Sequence, residues 1–160
     1  MDITPKFALI VAICTSVKLT EPHIMLIMSY RIPVESWVLE LPRGMNDGNN
    51  IESCTLKELK EETGYVGKVR ANQEAFVGFT DPWKSDDDNA IIYVDINLDD
   101  EANANPKQEL VTGENIKVVM VPLNNLKEGI QKLVKDKELK VCTNLWAFAE
   151  GLELSKSFIL

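Results

Sequence analysis

Between Trp37 and Tyr65 the chain leaves itself little choice of local geometry. An apolar stretch, Trp37–Leu41, stops at Pro42. Gly44 opens a polar loop, and a helical pattern then runs from Asn50 to Thr63 and stops at Gly64. Proline removes a backbone donor and so ends a strand. Asn49 with Glu52 three residues on is a helix start signal, and a glycine just past the last periodic residue is a stop signal. The predicted helix carries Glu58, Glu61 and Glu62. Their spacings of three and four place all three on adjoining faces at about 3.6 residues per turn. Three like charges in one patch repel, and a divalent cation would relieve that repulsion and bring Lewis acidity for phosphoryl chemistry. The other reading is an ordinary solvated helix. Cys54, Leu56 and Leu59 give it an apolar stripe with Cys54 in the core, and Lys57 stands four residues before Glu61. Spacing alone leaves both open.

Around this segment lie runs rich in Ile, Val, Leu and Met. Phe7–Val17, His23–Ser29, Trp37–Leu41, Val66–Gly78, Ala90–Leu98 and Asn115–Val121 read as strands. Asn124–Lys135 and Thr143–Ser157 read as further amphipathic helices, with Leu126, Ile130 and Leu133 on one face of the first. Two loops stand out, Thr80–Asn89 and Asp99–Gly113, and loops of such length in a compact domain are often functional. Within the first, Asp86–Asp88 reads as a solvated loop tip. The order of strands, helix, strands and two helices predicts an α+β fold, a mixed sheet between helices, in a single domain over residues 1–160.

Composition narrows the chemistry. A formal net charge of −8 argues against coating a nucleic acid polymer, because the surface would repel a phosphate backbone. An anionic substrate therefore needs a metal ion or a local cluster of donors. The three cysteines, Cys14, Cys54 and Cys142, form neither a zinc pattern nor a disulfide framework, and His23 is the one histidine. A bound metal should accordingly be held by oxygen, which points to Mg²⁺ or Mn²⁺. The longest clean apolar run, Phe7–Cys14, is too short to span a bilayer and lacks the flanks of a signal peptide. Reduced thiols and these flanks set the expectation of a cytoplasmic or nuclear protein with no membrane partner.

Lys57-Glu-Leu-Lys-Glu-Glu-Thr-Gly-Tyr65 resembles the C-terminal half of the Nudix box, in which Gly, five residues, Glu and seven residues precede Arg-Glu-apolar-any-Glu-Glu-any-Gly-apolar. Tyr30-Arg-Ile-Pro33, Glu40-Leu-Pro-Arg-Gly44, Asp81-Pro82 and Gly113-Glu114 extend the resemblance to the ADP-sugar pyrophosphatases of the eukaryotic ADP-ribose type, over roughly residues 7–150. The resemblance implies a Nudix fold and Mg²⁺-dependent hydrolysis of the pyrophosphate bond in ADP-ribose or a related nucleoside diphosphate sugar, giving AMP and a sugar phosphate. It implies Glu58 and Glu62 as main metal ligands, with Glu61 assisting, and the Arg43 carbonyl as a further ligand. Arg31 resembles the arginine that contacts substrate phosphate, although it is also placed to pair with Glu40. Met45 and Asp81 fall at positions that line the substrate site. Glu114 resembles the general base. Trp83 either stacks on a base or anchors its loop.

The chain departs from the motif in four places. Gly44 to Gly64 is one residue short, the first Glu is replaced by Asn49 or Asn50 depending on register, and the motif arginine is Lys57. Lysine keeps the charge and loses the bidentate fork. The subgroup also usually carries an N-terminal extension that stacks adenine and helps form a homodimer, whereas 43 residues precede Gly44 here. These departures set an alternative expectation, a Nudix-fold nucleotide-binding or protein-interaction module with weak catalysis or none.

Overall fold

The computed structural model describes residues 4–48 and 50–158. The chain forms strands β1 (Phe7–Thr15), β2 (His23–Arg31), β3 (Ser36–Glu40) and β4 (Arg43–Met45), then helix α1 (Ile51–Thr63). Strands β5 (Lys68–Val69), β6 (Val77–Phe79), β7 (Asp88–Asn97) and β8 (Ile116–Pro122) follow. Helix α2 (Leu126–Lys137), strand β9 (Lys140–Val141) and helix α3 (Thr143–Lys156) complete the fold. Among the described residues no helix is long and apolar enough to cross a membrane.

The sheet is mixed, in the order β5-β7-β1-β2-β3-β9, with β4 on β1, β6 on β7 and β8 on β2. The β1–β7 and β3–β9 pairs are parallel and the others antiparallel. Alternation along each strand sends side chains to two cores. Ala8, Ile10 and Ala12 of β1 join Ile92 and Val94 of β7 beneath Leu59 of α1. Val11 and Ile13 join Ile24, Leu26 and Leu39 beneath Ile130 of α2 and Leu145 of α3. Leu59, Ile130 and Leu145 are fully buried. Each contributes about 1.5–3 kcal/mol from water-excluded area, enough to clamp a helix on each face of the sheet. The expected α+β sandwich is thus the observed fold.

One divergence in this sheet prepares a site. β1 pairs with β2 only over Ala12↔Met25 to Cys14↔His23. The two strands then separate. β2 turns to β3 from Ile27 to Arg31, and β4 takes the vacated edge of β1 with Phe7↔Met45 and Leu9↔Arg43. β8 stays beside β2 from His23 to Ser29. The fork between β2 and β4 is roofed by α1.

Helix α1 begins where its cap permits. The Asn50 side-chain oxygen accepts from the Glu52 N–H at 2.8 Å and the Ser53 N–H at 3.4 Å. The expected signal at Asn49 lies outside the described residues. The helix ends at Gly64, whose φ of 79° is left-handed and whose N–H donates to the Lys60 carbonyl. A side chain at Gly64 would also run into the backbone of Pro106 and Lys107.

Two expectations are corrected. Val66–Gly78 is not one β segment but the short strands β5 and β6 around a turn with Asn72 at φ 58°. Gln73 does the pairing there with its side chain, donating to the Ile91 carbonyl at 2.8 Å and accepting from the Tyr93 N–H at 2.9 Å. Polar Asn72, Gln73 and Glu74 carry no β-branched bulk to hold a longer strand. The acidic run is also split. Asp86 is solvated and pairs with the Lys6 ammonium at 2.6 Å, whereas Asp88 is buried in β7 and accepts the Lys6 N–H at 2.6 Å.

Candidate active site

The fork is a cavity of about 330 Å³. β1 lends it Phe7, β2 lends Ser29 and Arg31, and β4 lends Arg43 and Met45. Glu58 and Glu62 reach it from α1, and Glu114 and Ile116 from the start of β8. Residues far apart in sequence therefore meet because β2 and β4 part company.

The acidic wall is held by backbone donors. The Arg43 N–H donates to Glu62 Oε2 at 3.3 Å, and the Met45 backbone favours the ionised Glu58 carboxylate. Gly44 between them has no side chain, and a Cβ there would overlap the Glu58 side chain. Glu62 is 8% exposed, and burial pushes its carboxyl up to about 8, with Glu58 and Glu114 adding repulsion. Glu58 is raised as well, first by burial and then by the charge of Glu61.

Glu114 arrives from the 99–113 loop. Its carboxylate accepts the Val111 N–H at 3.0 Å, and its own N–H donates to the Val111 carbonyl at 3.1 Å. Gln108 anchors that loop, donating to the Glu62 carbonyl at 2.6 Å and the Ile116 carbonyl at 3.1 Å. The Glu109 N–H donates to the Glu61 carbonyl at 2.8 Å, a second tie to α1. Gln108 carries no motif signal, so sequence reasoning passed over it.

The other expected residues are placed less centrally. Glu61 is on the helix flank with Lys57 Nζ at 3.9 Å, one turn away. Arg31 spends its fork on Glu40, with Nε to Oε1 and NH2 to Oε2 both at 2.7 Å. Asp81 and Trp83 belong to the loop before β7. There the Asp81 carbonyl accepts from Lys84 and Ser85, and Trp83 is 84% exposed. This loop meets a second, apolar cavity of about 420 Å³ through Thr80, with Phe79, Ile91, Tyr93 and Phe148 among its walls. The structure does not bring Asp81 or Trp83 to the acidic cavity.

Among the described residues no three His, Cys, Asp or Glu side chains are already drawn together as a complete metal cage. The donor set nevertheless fits a hard cation. Among the described residues Glu58 and Glu62 form no salt bridge, both carboxyls are raised chiefly by burial and by neighbouring carboxylates, and the Arg43 carbonyl belongs to the adjoining strand. A divalent ion would find oxygen ligands there, with Glu61 one helical step behind.

Sheet topology, acidic helix and Glu114 loop together form an arrangement that other proteins share. The family model described as NUDIX domain matches residues 9–148, and the chain belongs to that family. A Caenorhabditis elegans relative bearing the Nudix name is 37% identical over 135 residues, covering 83% of this chain and 59% of that protein. The ADP-sugar pyrophosphatase of Mus musculus is 33% identical over 135 residues, 84% of this chain and 61% of the mouse protein. The chain thus spans about three fifths of the curated relatives it matches. The crystal structure of a C. elegans Ap4A hydrolase binary complex aligns with TM-score 0.55 at 15% identity, covering 96% of this chain and 98% of that one, a likeness of fold alone.

Proposed function

We propose that the protein is a Mg²⁺-dependent hydrolase of the pyrophosphate bond in ADP-ribose or a related nucleoside diphosphate sugar, releasing AMP and a sugar phosphate. The observation that carries this reading is the convergence of Glu58, Glu62 and Glu114 on one cavity. The mouse relative's name supplies the substrate class.

Glu58, Glu62 and the Arg43 carbonyl would hold the cation, with Glu61 supporting. Once bound, the ion neutralises diphosphate oxygens and so lowers the barrier to attack on phosphorus. Glu114 accepts the proton of the attacking water. A new P–O bond forms, the bridging P–O bond breaks, and the departing phosphate keeps its electron pair. Arg31 stands at the mouth with both arms of its fork on Glu40, and Met45 packs against the sugar. Trp83 offers an exposed ring for base stacking, and Asp81 orients its loop.

The alternative module reading draws on Asn50 and Lys57. Asn50 caps α1 where the motif has a carboxylate, and Lys57 faces solvent instead of bracing Glu58 and Glu62. AMP release from ADP-ribose with magnesium, lost in Glu62→Gln, supports the enzyme. No turnover across a panel of nucleoside diphosphate compounds, together with calorimetric nucleotide binding, supports the module. Full activity in both Glu58→Gln and Glu62→Gln rejects the metal assignment.

A further inference from the structure

Two arginines line the acidic cavity, and they are in opposite states. Arg31 has both arms of its fork on Glu40. Arg43 makes no ion pair among the described residues, and its Nε and NH2 are buried without a hydrogen-bond partner. Its guanidinium lies over Phe7, 3.8 Å from the ring centroid, on the strand position opposite Leu9. Desolvation lowers its pKa from the ordinary arginine value, yet a guanidinium stays charged in proteins.

A half-buried cation without a counter-ion is expensive to keep, and removing such a group normally costs nothing or stabilises. The arrangement makes sense if an anion completes it. Stacking on Phe7 holds the planar fork in one orientation, which lysine would not do. Glu58 and Glu62 face the same cavity, so Arg43 supplies positive charge on one wall and carboxylates crowd another. A diphosphate bridged to the acidic wall by a divalent ion would present its remaining oxygens to such a fork.

We propose that the side chain of Arg43, rather than that of Arg31, is the principal protein cation holding the substrate's diphosphate, a role separate from its backbone carbonyl. The inference deepens the proposed function and rests on it for the identity of the natural substrate. The binding of a phosphate anhydride can be tested without turnover.

The test is isothermal calorimetry with inorganic pyrophosphate in magnesium buffer on the wild type, Arg43→Gln, Arg43→Lys and Arg31→Gln, with thermal melts on each. Arg43→Gln should weaken binding about 10- to 100-fold, as for a lost charge-assisted fork. Arg43→Lys should recover only part of that, and Arg31→Gln should change affinity less than about threefold. The melting temperature of Arg43→Gln should be unchanged or higher, where a merely structural arginine would lower it. Wild-type-like binding by Arg43→Gln, a larger loss in Arg31→Gln, or no wild-type binding overturns the proposal. Absence of ADP-ribose turnover in the wild type, with these binding differences intact, would remove the hydrolase reading and leave the phosphate-holding role.

Discussion

Gly44 and Glu58 are packed so closely that the glycine hydrogen occupies the place a methyl group would need. The carboxylate stem crosses β4 at the one residue without a side chain, and the neighbouring Arg43 N–H reaches Glu62. The helix therefore delivers its acids to a strand that already offers donors.

Gly44→Ala tests that contact. The overlap forces Glu58 aside, at about 1–3 kcal/mol for overpacking, which lowers the melting temperature by several degrees. Manganese affinity read by paramagnetic resonance should fall along with stability. A variant as stable as the wild type, with unchanged manganese binding, would show that the fork has slack.

Glu62 sets a pH dependence. Its folded pKa of about 8 is above the unfolded carboxylate value, so the folded state holds a proton that the unfolded state has released. Its contribution is complete in acid and is lost as pH rises through about 4.5 to 8. Urea melts of the metal-free protein should lose on the order of a few kcal/mol across that window. Glu62→Gln should flatten the slope. Added manganese should stabilise the wild type more at pH 8 than at pH 6, because the ion competes with that proton.

Gln108→Ala cuts the bridge between α1 and β8. With the Glu62 and Ile116 carbonyls released, the loop bearing Glu114 loses its fixed position. We expect kcat on ADP-ribose to fall about tenfold with KM little changed, the pattern of a misplaced proton acceptor. An unchanged kcat would mean that the Val111 contacts alone position Glu114.

Trp83→Ala separates stacking from anchoring. At 84% exposed, the ring buries little, so the melting temperature should stay within experimental error. If the ring stacks on a base, KM should rise about fivefold or more while kcat holds. Equal KM values would return Trp83 to a surface role.

Much of this was readable along the chain. Helix α1, its glycine stop and its three glutamates follow from local periodicity and capping, and the structure has the helix from Ile51 to Thr63. The two apolar faces of the sheet follow from the near-continuous apolar runs in Phe7–Thr15 and His23–Arg31, which are buried on both sides. Short strands were missed because β4 and β9 have two or three residues each and take their form from β1 and β3. Asp88 was misjudged because its burial depends on Lys6, 82 residues away.

Local order alone thus carried the helix, the strands and the identity of the acids, since caps, spacing and hydrophobic period act within a few residues. Where those acids meet Glu114, and that Arg43 is left bare over Phe7, came from long-range register. The fork exists because β2 leaves β1 after three pairs and β4 replaces it, a choice made by competing strand partners and invisible in any single segment.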